Sequence, residues 1–168
     1  LRADRQPEFT QIDIEMSFGD EADIMNVTEG LLVNIFKKIK KLDIPRPFKK
    51  MSFNEAMDRF GSDKPDLRYG MELMTLDDIF SDSGFSAFKN AAVDPKMAVK
   101  GMVLEGRSEE LSKNQIKKIE KDVQGDGAKA LAWIKKENGE LDSPLLKFFN
   151  ESEILKLKSM IPEKGTMF

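Results

Sequence analysis

The residues best suited to chemistry in this sequence are polar side chains of one alternating segment near its start. From Ile12 onward, apolar and polar residues alternate up to residue 18, which is the period of a β-strand. Because alternate side chains leave a strand on one side, Gln11, Asp13 and Glu15 are predicted to form one polar row. Such a row borders either solvent or a polar pocket, and the pattern alone favours solvent.

Histidine and cysteine are both absent from the sequence. Without cysteine there is no disulfide or thiolate chemistry, and without histidine the commonest general base and metal ligand is missing. The serines therefore have no histidine partner for nucleophilic catalysis, and residues 125–127 (Gly-Asp-Gly) are too short for a phosphate-binding loop. An independent hydrolase is therefore unsupported.

A long helix must follow the alternating segment. Asp20 is the predicted N-cap, and prolines at 45 and 47 prevent continuation. Apolar residues recur between them at helical spacing: Ile24, Val27, Leu31, Ile35, Ile39 and Leu42. Four lysines between residues 37 and 41 suit the negative end of the helix dipole, which favours a structural role for them over a nucleic-acid patch.

The rest of the chain alternates short elements. Ser52 and Glu55 predict a capping box that opens a helix ended by Gly61. Helical segments are predicted at 76–80, 112–123, 145–149 and 151–161, and strands at 85–93, 97–104 and 128–136. Asn138 and Gly139 predict a turn. The fold class is therefore α+β, without internal repeats.

Composition sets outer limits on function. The 168 residues are 40% hydrophobic, enough for a genuine core, and carry a net charge of −3, which argues against a surface that attracts nucleic acid everywhere. No apolar run approaches the roughly 20 residues of a membrane helix, and no signal peptide is visible. A soluble, cytoplasmic protein without a membrane partner is expected. The start at Leu1 is not expected to be a natural N-terminus.

Three segments resemble one enzyme family, the bacterial-type aspartyl-tRNA synthetases of class II. Residues 1–18 (LRADRQPEFTQIDIEMSF) resemble the second half of motif 2. Residues 60–73 (FGSDKPDLRYGMEL) resemble the passage from the catalytic domain into its large insertion. Residues 127–134 (GAKALAWI) and 143–148 (SPLLKF) are similar to the GAD domain inserted in these enzymes. The resemblance implies a piece of the antiparallel-sheet catalytic domain at 1–73 and a small α+β GAD domain at 74–168.

The family joins aspartate to AMP using ATP and magnesium, and then transfers the aspartyl group to tRNA. By resemblance, Gln6 falls where the family contacts ATP. Gln11 and Asp13 fall where it holds the substrate aspartate, and a carboxylate suits the ammonium group of that substrate. Arg2 and Arg5 fall in the motif 2 loop, which approaches the acceptor end of tRNA, and guanidinium groups suit phosphate.

The resemblance also implies that parts of the active site lie outside this chain. The motif 2 and motif 3 arginines and the magnesium-binding carboxylates are not matched. The parent enzyme is expected to use ATP and magnesium, whereas this chain is expected to bind neither and to be inactive. No metal-ligating residue is assigned here. The parent is expected to be a homodimer, and the sequence leaves open whether it also charges asparagine tRNA.

Two roles for the GAD segment remain open. One is to assist tRNA placement, which predicts weak, salt-dependent binding, and the other is purely structural. For Trp133, the patterns favour a core position over RNA binding. For the lysines of the GAD segment, they favour solvated positions over RNA binding. Those lysines are Lys129, Lys135, Lys136 and Lys147.

Overall fold

The computed structural model describes residues 4–168, which form two compact units. The first ends at Lys50, and the second runs from Met51 to Phe168. Helices predominate and the short strands pair antiparallel, which confirms the α+β class. Within residues 4–168, no helix combines the length and the apolar character that crossing a membrane requires. The predicted domain boundary after residue 73 rests on the family resemblance and stays a prediction.

Helix α1 (Glu21–Ile35) is the main element of the first unit. The predicted N-cap is confirmed, since the carboxylate of Asp20 accepts a hydrogen bond from the backbone N–H of Asp23 at 3.1 Å. In return, the backbone N–H of Asp20 donates to Asp23 Oδ2 at 3.0 Å, so both partners of a capping box are satisfied. The helix continues as a π-helical turn (Phe36–Lys40) and ends at Lys41, whose φ is 57°.

Glu29 ties the segment after the helix back onto α1. Its side chain is buried, with 7% of its surface exposed. The backbone N–H of Phe48 donates to Glu29 Oε1 at 3.0 Å, and Arg46 Nε lies 3.5 Å from Glu29 Oε2. Arg46 also donates to the backbone carbonyl of Asn26 at 3.1 Å. A buried carboxylate is tolerated here because both of its oxygens have partners.

The second unit combines five α-helices and three short 3-10 helices with six short strands. The helices are α2 (Phe53–Phe60), α3 (Asp77–Phe80), α4 (Ser86–Val93), α5 (Lys113–Gly125) and α6 (Glu151–Met160). The strands are β1 (Met74–Thr75), β2 (Lys100–Gly101), β3 (Val103–Leu104), β4 (Ile134–Glu137), β5 (Glu140–Asp142) and β6 (Thr166–Met167). β1 pairs with β2, and the others form an antiparallel sheet in the order β3-β6-β4-β5.

The core of this unit lies between the sheet and helices α3, α4 and α6. Phe80, Leu157 and Ile161 are almost completely buried, with 1%, 0% and 0% of their surfaces exposed. The ring of Phe80 lies 4.9 Å from that of Phe88 and 5.2 Å from that of Phe149, centroid to centroid. Tilted aromatic pairs at this distance add to the hydrophobic stabilisation. All buried members of this cluster fall between residues 76 and 167.

The predicted strand at 85–93 is wrong, because residues 86–93 form helix α4. Phe85, Phe88, Ala91 and Ala92 all pack against the core cluster. Their spacing of three, six and seven residues places them on one face of a helix, whereas a strand would divide them between its two faces. Burial of this face therefore decides for the helix.

The strands predicted at 97–104 and 128–136 form only in part. The first is divided into β2 and β3, and the second is reduced to β4, which begins at Ile134. The turn after β4 is confirmed: Asn138 and Gly139 have φ values of 53° and 76°, as a two-residue hairpin turn requires. The carboxylate of Glu163 accepts hydrogen bonds from both of their backbone N–H groups, at 2.5 and 3.1 Å.

Candidate functional site

The N-terminal segment, residues 4–20, forms neither a helix nor a strand. The alternating segment near the start of the chain, residues 8–18, was predicted to form a strand, and this prediction is wrong in this structure. A strand is stabilised by backbone hydrogen bonds to a neighbour, and no strand among the described residues pairs with this segment. Its apolar side chains consequently stand in solvent, and Phe9 and Ile12 each have 72% of their surface exposed.

Four of the predicted site residues lie in this segment, and all four are exposed. Arg5 and Gln6 line one concave region of about 590 Å³, together with Asp4 and Phe9. Gln11 and Asp13 lie further along the segment. Within residues 4–168, none of these four side chains takes part in a hydrogen bond or an ion pair, so each is available to a ligand. Arg2 lies outside the described residues.

The side chains that line the concave region supply three kinds of contact that a nucleotide can use. The guanidinium of Arg5 supplies positive charge for phosphate, and the amide of Gln6 both donates and accepts hydrogen bonds. The exposed ring of Phe9 offers an apolar face to a planar base. These residues therefore fit ATP, although Asp4 adds a negative charge to the same wall.

Magnesium is a different case. The ion prefers oxygen ligands in octahedral geometry and is held in proteins chiefly by carboxylates and water. The described part of the chain contains no group of three or more Asp, Glu, His or Cys side chains that could hold a metal ion. These residues do not by themselves fit magnesium.

A closed loop, residues 61–70, covers most of the second family-like segment. Arg59 closes it by donating from Nε to Glu72 Oε2 at 2.8 Å and from a terminal nitrogen to Glu72 Oε1 at 2.5 Å. The backbone N–H of Leu73 also donates to the carbonyl of Arg59 at 2.7 Å. Glu55 accepts a third side-chain bond from Arg59 at 2.5 Å, and together these bonds raise the pKa of Arg59. The two ends of the loop are thereby held together.

Asp66 and Arg68 form an ion pair inside this loop. Arg68 Nε donates to Asp66 Oδ1 at 2.8 Å, and the backbone N–H of Arg68 donates to the same oxygen at 3.0 Å. The side-chain hydrogen bonds from Arg68, followed by the backbone bond, lower the pKa of Asp66 from its ordinary 3.8 to about 2. Because the pKa is lowered, this contact is complete above pH 3.8 and is lost as the pH falls through about 2.

We expect Arg68→Gln to raise the pKa of Asp66 from about 2 toward 3.8, because the strongest donors to the carboxylate are removed. A carbon-13 NMR titration of the Asp66 carboxyl group measures this change. Lys64→Gln is the matched control, since it removes a charge from the same loop without touching Asp66. A midpoint for Asp66 that is unchanged in Arg68→Gln would contradict the assignment.

Two of the four lysines considered for RNA binding belong to the fold instead. Lys135 Nζ donates to the backbone carbonyls of Ser108, at 2.8 Å, and Leu111. Lys136 Nζ donates to the carbonyls of Lys158, at 2.6 Å, and Ile161, at 3.0 Å. Lys136 therefore caps the end of α6, where carbonyl groups lack helical partners.

The other two lysines are exposed, and Lys147 Nζ lies 4.9 Å from the centroid of the Phe148 ring. Trp133 is half-buried and lies in the irregular stretch just before β4. It lines an apolar cavity of about 250 Å³ with core residues that include Phe80 and Met167. Its ring therefore contributes to the interior as the pattern favoured, although it does not lie in a strand.

Comparison with known proteins places these features in a family. The model of the family described as tRNA synthetases class II (D, K and N) matches residues 1–155. The chain is 48% identical over 162 residues to an aspartate–tRNA(Asp/Asn) ligase of Persephonella marina, covering 96% of this chain and 26% of that protein. It is 50% identical over 149 residues to an aspartate–tRNA ligase of Halalkalibacterium halodurans, covering 89% of this chain and 25% of that protein.

A third relative, an aspartate–tRNA(Asp/Asn) ligase of Aquifex aeolicus, is 47% identical over 157 residues, which cover 94% of this chain and 26% of that protein. The chain thus spans about a quarter of the length of the relatives it matches. The family model covers far more than half of the chain, and the motif-like segments and the mixed fold agree with it. The chain therefore belongs to the class II tRNA synthetases of the D, K and N group.

Proposed function

We propose that this chain is part of an aspartate–tRNA ligase, which activates aspartate with ATP and transfers it to the 3′ end of tRNA. The observation that carries the proposal is the 48% identity over 96% of the chain to a protein of that name. When bound, ATP would supply the AMP group that is joined to aspartate, with pyrophosphate as the leaving group. The residues of this chain contribute binding and positioning, which lower the barrier by orienting the reactants.

Residue roles follow from the side chains of the N-terminal segment. Asp13 binds the ammonium group of the substrate aspartate, and Gln11 hydrogen bonds to the same substrate. Gln6 contacts ATP in the concave region that it shares with Arg5. Arg5 and Arg2 contact the acceptor end of tRNA, where a guanidinium pairs with phosphate. Within residues 4–168, the side chains of Arg5, Gln6, Gln11 and Asp13 form no hydrogen bond or ion pair, which supports these roles.

The exposed N-terminal segment becomes a wall of the site when a neighbouring strand pairs with it. The alternation beyond Ile12 then places Gln11 and Asp13 on one face and buries the apolar side chains on the other. This pairing is favourable because it removes from water the apolar side chains of Phe9 and Ile12, which are largely exposed in the unpaired segment. Residues 1–168 alone are accordingly proposed to be inactive, since Asp13 here stands in solvent.

Residues 74–168 are proposed to form the GAD insertion, and residues 1–73 a part of the catalytic domain. A core cluster whose buried members all fall between residues 76 and 167 supports an independent packing unit there. We propose that the insertion assists placement of tRNA. The alternative is a purely structural module, and the aromatic contacts in the core of this unit are compatible with that role as well. We further propose that the parent protein is a cytoplasmic homodimer that uses ATP and magnesium.

The test uses the full-length protein that contains this chain. We expect pyrophosphate exchange into ATP to depend on aspartate, and labelled aspartate to be transferred to aspartate tRNA. Lysine and asparagine are the matched controls, because the family also includes synthetases of the K and N types. Exchange that depends on either of these amino acids and not on aspartate would overturn the proposal. Transfer to asparagine tRNA, measured in parallel, defines the range of tRNA substrates.

A further inference from the structure

Helix α5 carries a group of lysines on its solvent side. Lys113, Lys117 and Lys121 recur at every fourth residue, and Lys118 lies beside them. At 100° per residue the four fall within an arc of about 140° and extend over about 12 Å of the helix axis. Lys129, just after the helix, is exposed as well. We call these five residues the α5 lysine surface.

The helix presents this surface from a fixed position. Ile116, on the opposite side of α5, has only 3% of its surface exposed and anchors the helix to the unit. Ser112 caps the N-terminus by accepting a hydrogen bond from the backbone N–H of Gln115 at 3.3 Å. At the other end, Gln124 Nε2 donates to the carbonyl of Lys129 at 3.2 Å, which places Lys129 next to the end of the helix.

None of the five lysine side chains has an ion pair or a hydrogen bond within residues 4–168. Other lysines of the same unit have carboxylate partners at short distance, and the pairs are Lys100 with Asp58 at 2.5 Å, Lys158 with Glu140 at 2.7 Å and Lys164 with Glu109 at 2.8 Å. Glu120 and Asp122 of α5 itself are not within ion-pair distance of any lysine there. Within residues 4–168, no carboxylate therefore lies within ion-pair distance of this positive charge.

This arrangement of charge opposes the stability of the helix. Like charges at a spacing of four residues repel each other, as Lys113, Lys117 and Lys121 do. Lys113 also lies in the first turn, where the helix dipole is positive, and this turn contains no acidic residue to offset its charge. A local cost to folding is typical of residues that serve a ligand. The ligand indicated is a polyanion.

The chemistry of the surface favours a nucleic acid over a membrane. A helix that binds at a membrane surface inserts large apolar side chains next to its basic residues. Helix α5 exposes no large hydrophobic side chain, because Ile116 is buried and Ile119 and Val123 are half-buried. We propose that the α5 lysine surface binds the phosphate backbone of tRNA. This rests on the proposed function and locates the tRNA contact of the insertion.

The test measures binding of aspartate tRNA to the full-length protein between about 50 and 200 mM salt, where phosphate contacts show a steep salt dependence. For Lys117→Gln/Lys121→Gln, we expect the Kd to rise about tenfold at low salt and the salt slope to fall by about two, one for each lost phosphate contact. Lys89→Gln/Lys96→Gln is the matched control, because it removes the same charge from exposed positions of the same unit. Its Kd is expected to stay within about twofold.

Equal Kd values and salt slopes for the two double variants would overturn the α5 proposal. If Lys117→Gln/Lys121→Gln loses binding to vesicles of phosphatidylglycerol and phosphatidylcholine but keeps its tRNA binding, the surface binds a membrane and the α5 proposal is overturned. Aspartate-dependent pyrophosphate exchange is measured on every variant, because that step needs no tRNA. If exchange and aspartylation persist while the α5 substitutions have no effect, only the α5 proposal fails. If aspartate supports neither, the proposed function fails.

Discussion

Asp13→Asn in the full-length protein is expected to lower kcat/KM for aspartate in pyrophosphate exchange by about 100-fold, while KM for ATP changes by no more than about twofold. The substitution keeps the size of the side chain but removes the charge proposed to pair with the substrate ammonium group. Truncating one side of a desolvated ion pair costs about 2–5 kcal/mol, since the other charge is left without a partner. Steady-state exchange with aspartate and ATP varied separately measures both constants.

The control for this experiment is Asp43→Asn, the same substitution at an exposed position of the same unit. Within the described residues, Asp43 pairs with Lys37 alone, at 2.9 Å on the surface, and pairs of this kind contribute about 0–1 kcal/mol. The kinetics of Asp43→Asn are expected to match those of the unmodified protein. A kcat/KM for aspartate that Asp13→Asn lowers by less than about threefold would remove Asp13 from the substrate site.

Leu157→Ala is expected to lower the free energy of unfolding of the second unit by about 2–5 kcal/mol, since it leaves a cavity in the core. Leu157 has 0% of its surface exposed and belongs to the cluster with Phe80 and Ile161. Urea unfolding of the chain of residues 1–168, followed by tryptophan fluorescence, measures the loss in free energy of unfolding. Trp133 is the sole tryptophan and lies in this unit, so the signal reports on its unfolding.

Leu155→Ala is the matched control, because it makes the same change two residues earlier in α6, where the side chain is 68% exposed. Helix propensity changes equally in both variants, so their difference isolates the effect of burial. We expect Leu155→Ala to change the free energy of unfolding by less than about 0.5 kcal/mol. Equal losses in the two variants would show that Leu157 is not part of a tightly packed core.

Local signals predicted the elements that depend on neighbouring residues in the chain. Asp20 and Ser52 cap α1 and α2 as expected, because a cap hydrogen bond joins residues only three apart. The predicted capping box at Ser52 forms only in part, since the Glu55 carboxylate accepts from Arg59 instead of returning to the cap. The turn at Asn138 and Gly139 follows for the same reason, since both residues tolerate positive φ. The family resemblance likewise depends on contiguous residues, and the family model confirms it.

Features that need distant partners were not predictable in this way. Residues 8–18 have the alternation of a strand, but no strand within residues 4–168 pairs with them. The core selects a helix for 86–93 by packing Phe88 against its aromatic rings. Lys136 reads as a solvated residue until the end of α6 comes within hydrogen-bond distance of it. The spacing of four residues between Lys113, Lys117 and Lys121 belongs to the sequence, whereas their lack of carboxylate partners within residues 4–168 depends on the fold. Hydrogen bonds, burial and ion pairs between remote residues exist only once the chain has folded, so no local pattern encodes them.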